Sequence, residues 1–234
     1  MLEEVLRGGF AALGLPLDGT ALSRYRLYAD VLSETNRVMN LTAITGEAEA
    51  ARLHFLDCAA LLEAADLSGR TLIDVGTGAG FPGLALKIAR PELSLVLLDS
   101  LDKRVGFLRG VCDRLGLADV TCVHARAEEA PAEYRAAFDC AVSRAVARLN
   151  VLCELCLPFV RVGGAFLAMK GPEHADELEE ARRAIRLLGG ELESENDYTI
   201  PGTEIVHSVI VIRKLAETPK NYPRRWAQIK KQPL

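Results

Sequence analysis

Hydrophobic positions follow two different rhythms along the chain. From Thr20 apolar residues fall at Leu22, Tyr25, Tyr28, Ala29 and Leu32, the spacing of one helix face, with Thr20 as the N-cap. Residues 1–14 read as a shorter helix before the Gly14–Gly19 break, and Glu47–Ala65 as a further helix after NRVMNLTAIT. From Thr71 short apolar runs alternate with helical stretches. Strands are expected at 71–75, 93–99, 119–124, 138–143 and 164–170, and helices at 82–90, 101–115, 148–160 and 173–188. That alternation implies βαβ units and a parallel sheet. The last stretches, ELESENDYTI and IVHSVIVIRKL, read as two strands joined by a turn at Pro201–Gly202. No repeat or low-complexity tract breaks this order. Three segments are therefore expected: a helical extension packed on the core (1–66), an α/β core (67–215) and a basic tail (216–234).

The pattern is densest at TLIDVGTGAGFPG, Thr71–Gly83. A buried strand runs into Gly76, Gly78 and Gly80, with Pro82 in the first turn of the following helix, where its missing N–H costs nothing. Glycines without Cβ let a ligand approach the main chain. The spacing is D-x-G-x-G-x-G, and Phe81 stands where a dinucleotide fingerprint needs its third glycine. Asp74 lies just before the glycines, an unwelcome neighbour for a pyrophosphate but a tolerable one for a sulfonium ligand that carries an amino group. Asp99 ends the next strand, roughly 20 residues on, where an acid grips ribose hydroxyls. Together these features resemble a site for S-adenosylmethionine (AdoMet).

Composition narrows the setting. Half of the 234 residues are hydrophobic, enough for a full core. The acidic start MLEEV is unlike a secretory signal, and no apolar run approaches the roughly 18 residues of a membrane span, so a cytoplasmic protein is expected. The six cysteines lie in apolar segments and read as reduced, buried thiols, including the Cys153–Cys156 pair. The four histidines show no metal-ligand spacing, so no metal is expected. Residues 213–231 carry seven Lys/Arg against Glu217 alone, net +6, which leaves −10 on the rest of a chain whose net charge is −4. With Tyr222 and Trp226 among the cations, this tail reads as an arm for phosphates and unpaired bases.

Ligands of parallel sheets bind outside the carboxyl ends of the strands, which singles out the loops at 76–83, 99–103, 125–129, 143–148 and 170–172. An α/β chain ending in a hairpin resembles the Rossmann-like, AdoMet-dependent methyltransferase fold, a seven-stranded, mostly parallel sheet whose last strand is antiparallel. In that likeness Ala127 and Glu128 stand where adenine is held. The loop after the fourth strand lacks the tetrad by which amino-group methyltransferases grip an exocyclic NH₂, and Cys140 lies inside a strand rather than on a nucleophile loop. Arg144, with Arg148 further on, and Lys170 reach the cleft mouth instead and suit a phosphate, the ligand or guanine acceptors. His54 and Asp57 share a helix face.

In chain order, NLT, the R-x-H-x-x-D helix (Arg52, His54, Asp57), IDVGTGAGFPGL, LLDSLDKRVGFL, SRA and MKG resemble the bacterial 16S ribosomal RNA guanine-N7 methyltransferase family, also called glucose-inhibited division protein B. The likeness spans roughly 30–215, and the end NYPRRWAQIKKQPL is similar to the basic tail of some members. Cys58, where serine is common, and Phe81, where an aliphatic residue is usual, depart from the pattern. The resemblance implies AdoMet as cofactor, held by Asp74, Gly76, Gly78, Gly80, Phe81, Asp99, Ala127, Glu128 and Arg144. It implies 16S rRNA or the small ribosomal subunit as partner, with the protein acting as a monomer. Asn40, His54, Asp57, Arg144 and Lys170 become candidates for positioning the guanine. No catalytic acid or base is assigned, because guanine N7 carries a lone pair and no proton. The rivals are an NAD-binding oxidoreductase, disfavoured by the missing glycine, a non-catalytic ribosome-assembly factor that keeps a nucleotide pocket, and a methyltransferase acting on small molecules or proteins.

Overall fold

A computed structural model describes residues 1–144, 146–172 and 174–234. Its strands are β1 (Thr71–Val75), β2 (Ser94–Asp99), β3 (Val120–His124), β4 (Phe138–Arg144), β5 (Val160–Lys170), β6 (Gly190–Thr199) and β7 (Val206–Lys214). They form one sheet in the order β3-β2-β1-β4-β5-β7-β6. The first five strands pair in parallel, while β7 runs antiparallel to both β5 and β6 and lies between them. The seven-stranded sheet with an antiparallel last strand is thus present. The order reverses at β1 and β4, and the crevice outside their carboxyl ends is where such sheets take ligands.

Helices cover both faces: α1 (Leu2–Ala12), α2 (Gly19–Met39), α3 (Glu47–Ala50), α4 (Asp57–Ala64), α5 (Gly83–Ala89), α6 (Asp102–Leu115), α7 (Leu149–Cys156), α8 (Ala175–Leu187) and α9 (Trp226–Lys231). Alternate strand residues feed the two sides, as the period of two requires. Leu72, Leu97, Leu167 and Val211 pack with α1, α2, α4, α5 and α6. Ile73, Leu98, Phe166 and Ile212 pack with α7, α8 and Ile229 of α9. Edge strand β6 exposes Glu191, Glu193, Glu195 and Asp197, charges that discourage a further strand from pairing there.

The structure departs from the sequence reading at several places. Helix α2 is capped by Asp18, whose Oδ1 accepts from the Ala21 amide at 2.7 Å, so the earlier carboxylate takes the role assigned to Thr20. The helix expected over 47–65 contains a π-helical stretch, Ala51–Leu56, between α3 and α4. Such wide turns favour functional positions, and this one carries His54. Helix α7 stops at Cys156, because Pro158 lacks the N–H a continuing helix needs, and β5 starts at Val160 rather than 164.

The chain beyond β7 is a strap against α7. Buried Glu154 accepts from the Arg224 amide at 2.8 Å, and its two oxygens take Nε and Nη2 of the Arg224 guanidinium at 2.8 and 2.6 Å. Arg135 donates to the carbonyls of Thr218, Pro219 and Tyr222 at 2.6, 3.1 and 2.7 Å. Lys214 is buried, its Nζ donating to the carbonyls of Leu157 and Leu188, and burial pushes its amine down to about 8. Arg213 pairs with Glu193. Of the seven cations read as an RNA arm, Lys220, Arg225, Lys230 and Lys231 are exposed.

Candidate functional site

The glycine turn is held open from behind. The amides of Gly76 and Thr77 donate to the Leu98 carbonyl at 2.8 and 3.2 Å, tying the end of β1 to β2. Gly78 has φ +61 with open space where a Cβ would stand, and its amide donates to Asp99 Oδ2 at 2.9 Å. On the far side Tyr28 Oη donates to the Ala79 carbonyl at 2.5 Å, so α2 is fastened to the turn.

In front of this turn lies a cavity of about 540 Å³. One end is formed by Gly76, Thr77, Gly78, Asp99, Ser100 and the Ala125–Glu128 loop, the other by Leu41, Thr42, His54, Phe81 and Arg144. Residues from all three expected segments line it, since Trp226 of the strap completes its wall.

Of the residues read as cofactor-binding, Gly76, Gly78, Phe81, Asp99, Ala127, Glu128 and Arg144 line this cavity. Asp74 and Gly80 do not. Asp74 points into the body of the protein, where Oδ2 accepts from Thr77 Oγ1 at 2.6 Å and from the Gly83 amide at 2.8 Å. Burial pushes its carboxyl up to about 6, against the lowering effect of those two bonds. One oxygen fixes the turn and the start of α5, while Oδ1 is buried and among the described residues has no hydrogen-bond partner. A Cβ on Gly80 would stand 2.4 Å from Tyr28 Oη, so the packing of α2 demands that glycine.

The positioning candidates divide in the same way. His54 and Arg144 line the cavity, with Asp57 just behind them. Arg144 Nη1 donates to Asp57 Oδ2 at 2.9 Å and to the Leu53 carbonyl at 3.1 Å, and Nη2 meets His54 Nδ1 at 3.3 Å. Asp57 Oδ1 accepts from Tyr198 Oη at 2.7 Å and His207 Nδ1 at 2.8 Å. Burial pushes the Asp57 carboxyl up, but the His207 hydrogen bond, Arg144 and Tyr198 outweigh it and hold it below the usual carboxylate range. His54 stacks on Phe81 with ring centroids 4.3 Å apart, and the Arg144 guanidinium lies 5.2 Å from the same ring. Burial and Arg144 push the His54 imidazole down to about 4. The bond pattern assigns the tautomer: Nδ1 accepts from Arg144, so Nε2 carries the proton toward Thr42 Oγ1, 2.9 Å away.

Asn40 and Lys170 lie elsewhere. Asn40 ends α2 at φ 49, ψ 52, the left-handed conformation asparagine tolerates, and the residues after it reach the cavity instead. Lys170 Nζ donates to the Ala147 carbonyl at 2.7 Å and Glu177 Oε2 at 2.6 Å, so it braces the segment after β4 against α8. Sequence reasoning missed Tyr198 and His207, and it read Trp226 as part of an arm for unpaired bases rather than as a wall of this cavity. Thr42 lay within the NLT motif, whereas strands far along the chain deliver Tyr198 and His207.

The donor set fits AdoMet. Among the described residues Glu128 Oε1 is buried with no hydrogen-bond partner, since Arg126 Nη1 at 3.9 Å is too distant. A buried acceptor of this kind calls for a donor, and a nucleoside N–H or hydroxyl provides one. Asp99 spends one lone pair on Gly78 and one on the Leu101 amide, which leaves acceptor capacity for ribose. Arg104, Arg126 and Arg144 face the cavity against Asp99 and Glu128, so its mouth is mildly cationic. Among the described residues, ligating atoms of His174, Glu195 and Asp197 lie within 4.8 Å of one another. They are engaged with each other, the Gly171 carbonyl and Ser208.

Among the described residues no helix is long and apolar enough to cross a membrane. The solved structure of TrmN from Thermus thermophilus superposes with TM-score 0.57 at 21% identity, covering 77% of this chain and 53% of that one. M. jannaschii TYW2 in complex with AdoMet does so with TM-score 0.55 at 11% identity, covering 68% and 75%. At such identities the likeness concerns the fold, and it is the methyltransferase fold. The "Ribosomal RNA small subunit methyltransferase G" of Alkaliphilus metalliredigens is 47% identical, covering 99% of this chain and 98% of its own. The protein of the same description from Acetivibrio thermocellus is 46% identical, covering 100% and 97%. The family described as GidB, rRNA small subunit methyltransferase G, matches residues 21–205. With that match and those full-length relatives, the chain belongs to the rRNA small subunit methyltransferase G family.

Proposed function

We propose that this protein transfers a methyl group from AdoMet to N7 of a guanine in 16S ribosomal RNA, acting as a cytoplasmic monomer on the RNA or the small subunit. The observation that supports this most is the contrast between the cavity's two ends: bare backbone and hungry carboxylates at one, a rigid Arg–His–Phe group at the other. AdoMet bound there supplies an electrophilic methyl on a sulfonium centre. Gly76 and Gly78 leave room for its backbone-hugging part, Asp99 accepts from ribose, and Ala127 and Glu128 receive the adenine. Thr42, His54, Phe81 and Arg144 then form the wall against which the guanine is oriented.

The chain's chemistry suits an acceptor without a proton to lose. His54 is neutral at pH 7 and both its nitrogens are engaged, so it is no free base. The protein's contribution is orientation, with Asp57 behind Arg144 offsetting the guanidinium's charge beside the base, which becomes cationic as the bond forms. Residues 67–215 hold most of this machinery, 1–66 supply Thr42 and His54, and the tail supplies Trp226. The test is transfer of labelled methyl from AdoMet to small-subunit rRNA by the purified protein, followed by digestion and mass spectrometry. Label in 7-methylguanosine is expected; label in another nucleoside, or none in RNA, overturns the proposal.

A further inference from the structure

Trp226 has no part in any motif of the core, yet it stands in the cavity wall. It is the sole residue beyond Leu155 among the described lining residues, and Ile229 of the same helix packs in the cluster that holds Leu155 of α7, Ala125 and Ala127. It is the only tryptophan of the chain and keeps 37% of its surface exposed.

What holds it there is built. Glu154 is fully buried, and its charge is met by the bidentate guanidinium and amide of Arg224, two residues before Trp226. A buried carboxylate robbed of that partner would be strongly unfavourable, so the strap is anchored at this point. Arg224 Nη1 also donates to the Gln232 carbonyl at 3.1 Å, which ties both ends of α9 together. Ile229, three residues after Trp226, is wholly buried against the α7 and α8 side of the sheet. The indole is thus held from both flanks while one part of it stays uncovered at the cavity.

We infer that Trp226 is a binding residue for the adenosine end of the methyl donor, a wall lent to the core's nucleotide pocket by the C-terminal strap. This deepens the proposed function and rests on the reading that the cavity takes AdoMet. The position favours the adenosine end over the guanine end, because Ile229 of the same helix α9 packs in the cluster that holds Leu155, Ala125 and Ala127, whereas Phe81 belongs to the cluster on the other face of the sheet. A large, rigid aromatic face gains contact with a purine at little cost in side-chain freedom. Because the strap and the ligand meet at one side chain, each stabilises the other by the same factor.

The test uses the full-length protein and AdoMet alone, without RNA. Calorimetry first establishes whether AdoMet binds, and the emission of the single tryptophan is then followed over the same titration. The expected result is a saturable change in Trp226 fluorescence with the calorimetric midpoint, together with slower trypsin cleavage at Arg225, Lys230 and Lys231. Trp226→Ala should raise the AdoMet dissociation constant roughly five- to twenty-fold, the scale of a lost base–aromatic stack, and Trp226→Phe should recover most of it. If calorimetry shows tight binding while the fluorescence is unmoved and Trp226→Ala binds as the native protein does, the inference is overturned and the AdoMet site stands. If calorimetry shows no AdoMet binding to the native protein, both fall together.

Discussion

Two buried carboxylates lie at opposite ends of the same cavity and differ in how far the protein satisfies them. Asp57 receives Tyr198 and His207 on one oxygen and Arg144 on the other, and its side chain is 2% exposed. The Glu128 side chain is 6% exposed, and among the described residues its Oε1 meets no donor. The first is a finished network whose members fix each other's rotamers and protonation. The second is an unfinished one, at the end where the main chain has been stripped to glycine. A site built this way has one rigid end, ready for a base to be pressed against it, and one end whose hydrogen bonding is completed by the molecule that binds.

The sharpest way to break that contrast is to fill the unfinished end. Gly78→Asp places a side chain and a charge in the open space at φ +61 and should remove measurable AdoMet binding, by about two orders of magnitude or more, with the fold intact. Near-native affinity by calorimetry in a folded variant would mean that the ligand does not lie on this turn.

Unpairing the finished end acts on stability instead. Arg144→Ala leaves Asp57 without its guanidinium and should cost about 3–5 kcal/mol in chemical denaturation. The double variant with Asp57→Asn should lose less than Arg144→Ala alone, because the stranded charge is gone. A loss below about 1 kcal/mol for Arg144→Ala would mean that the pair is already solvated.

How much of this was legible follows from the same contrast. The unfinished end is written in local spacing: glycines directly after a strand, an acid at the end of the next strand and a short loop after the third. Gly76, Gly78 and Asp99 could therefore be placed on the cavity from spacing, and Ala127 and Glu128 through the likeness to methyltransferase folds. Asp74 and Gly80 belong to the same motif but do not line the cavity, because Thr77 and the Gly83 amide hold the Asp74 carboxylate and Tyr28 packs where a Gly80 side chain would stand. The finished end is assembled from the loop after α2, a π-helical stretch, α4, β4, β6 and β7, and no local pattern announces Tyr198 or His207. The tail's fold was hidden by its composition. Seven cations do not announce that Arg224 meets buried Glu154 or that Lys214 and Ile229 are buried, while Lys220, Arg225, Lys230 and Lys231 stay exposed.

Asp99→Ala probes the donor end more gently. The carboxylate both holds the Gly78 amide and keeps capacity for ribose, so AdoMet affinity should fall by about 1.5–3 kcal/mol, the scale of hydrogen bonds to a charged group. An unchanged dissociation constant would show that Asp99 serves the turn alone.

The smallest expected effect is acid sensitivity at the finished end. His54 takes its proton near pH 4 when folded, against 6.5 for the free side chain. Between those values the unfolded chain binds more protons, so stability is lost as pH falls through that window. By pH 5.5 this costs about 1.2 kcal/mol relative to neutral pH. Asp74, raised to about 6, acts in the opposite sense, so the readout is the difference between the native protein and His54→Gln. The native protein should lose more stability on going from pH 7 to 5.5 than the variant does, and equal losses would place His54 in an ordinary, solvated state.

The central claim is that AdoMet bound on the glycine turn is the methyl source for guanine N7 in small-subunit rRNA. It is tested most directly by mass spectrometry of rRNA from cells lacking this protein, complemented either with the native chain or with Gly78→Asp. The expected result is a 7-methylguanosine that disappears with the protein, returns with the native chain and stays absent with the variant at equal expression. The same 7-methylguanosine content in all strains, or its full return with Gly78→Asp, would contradict the account.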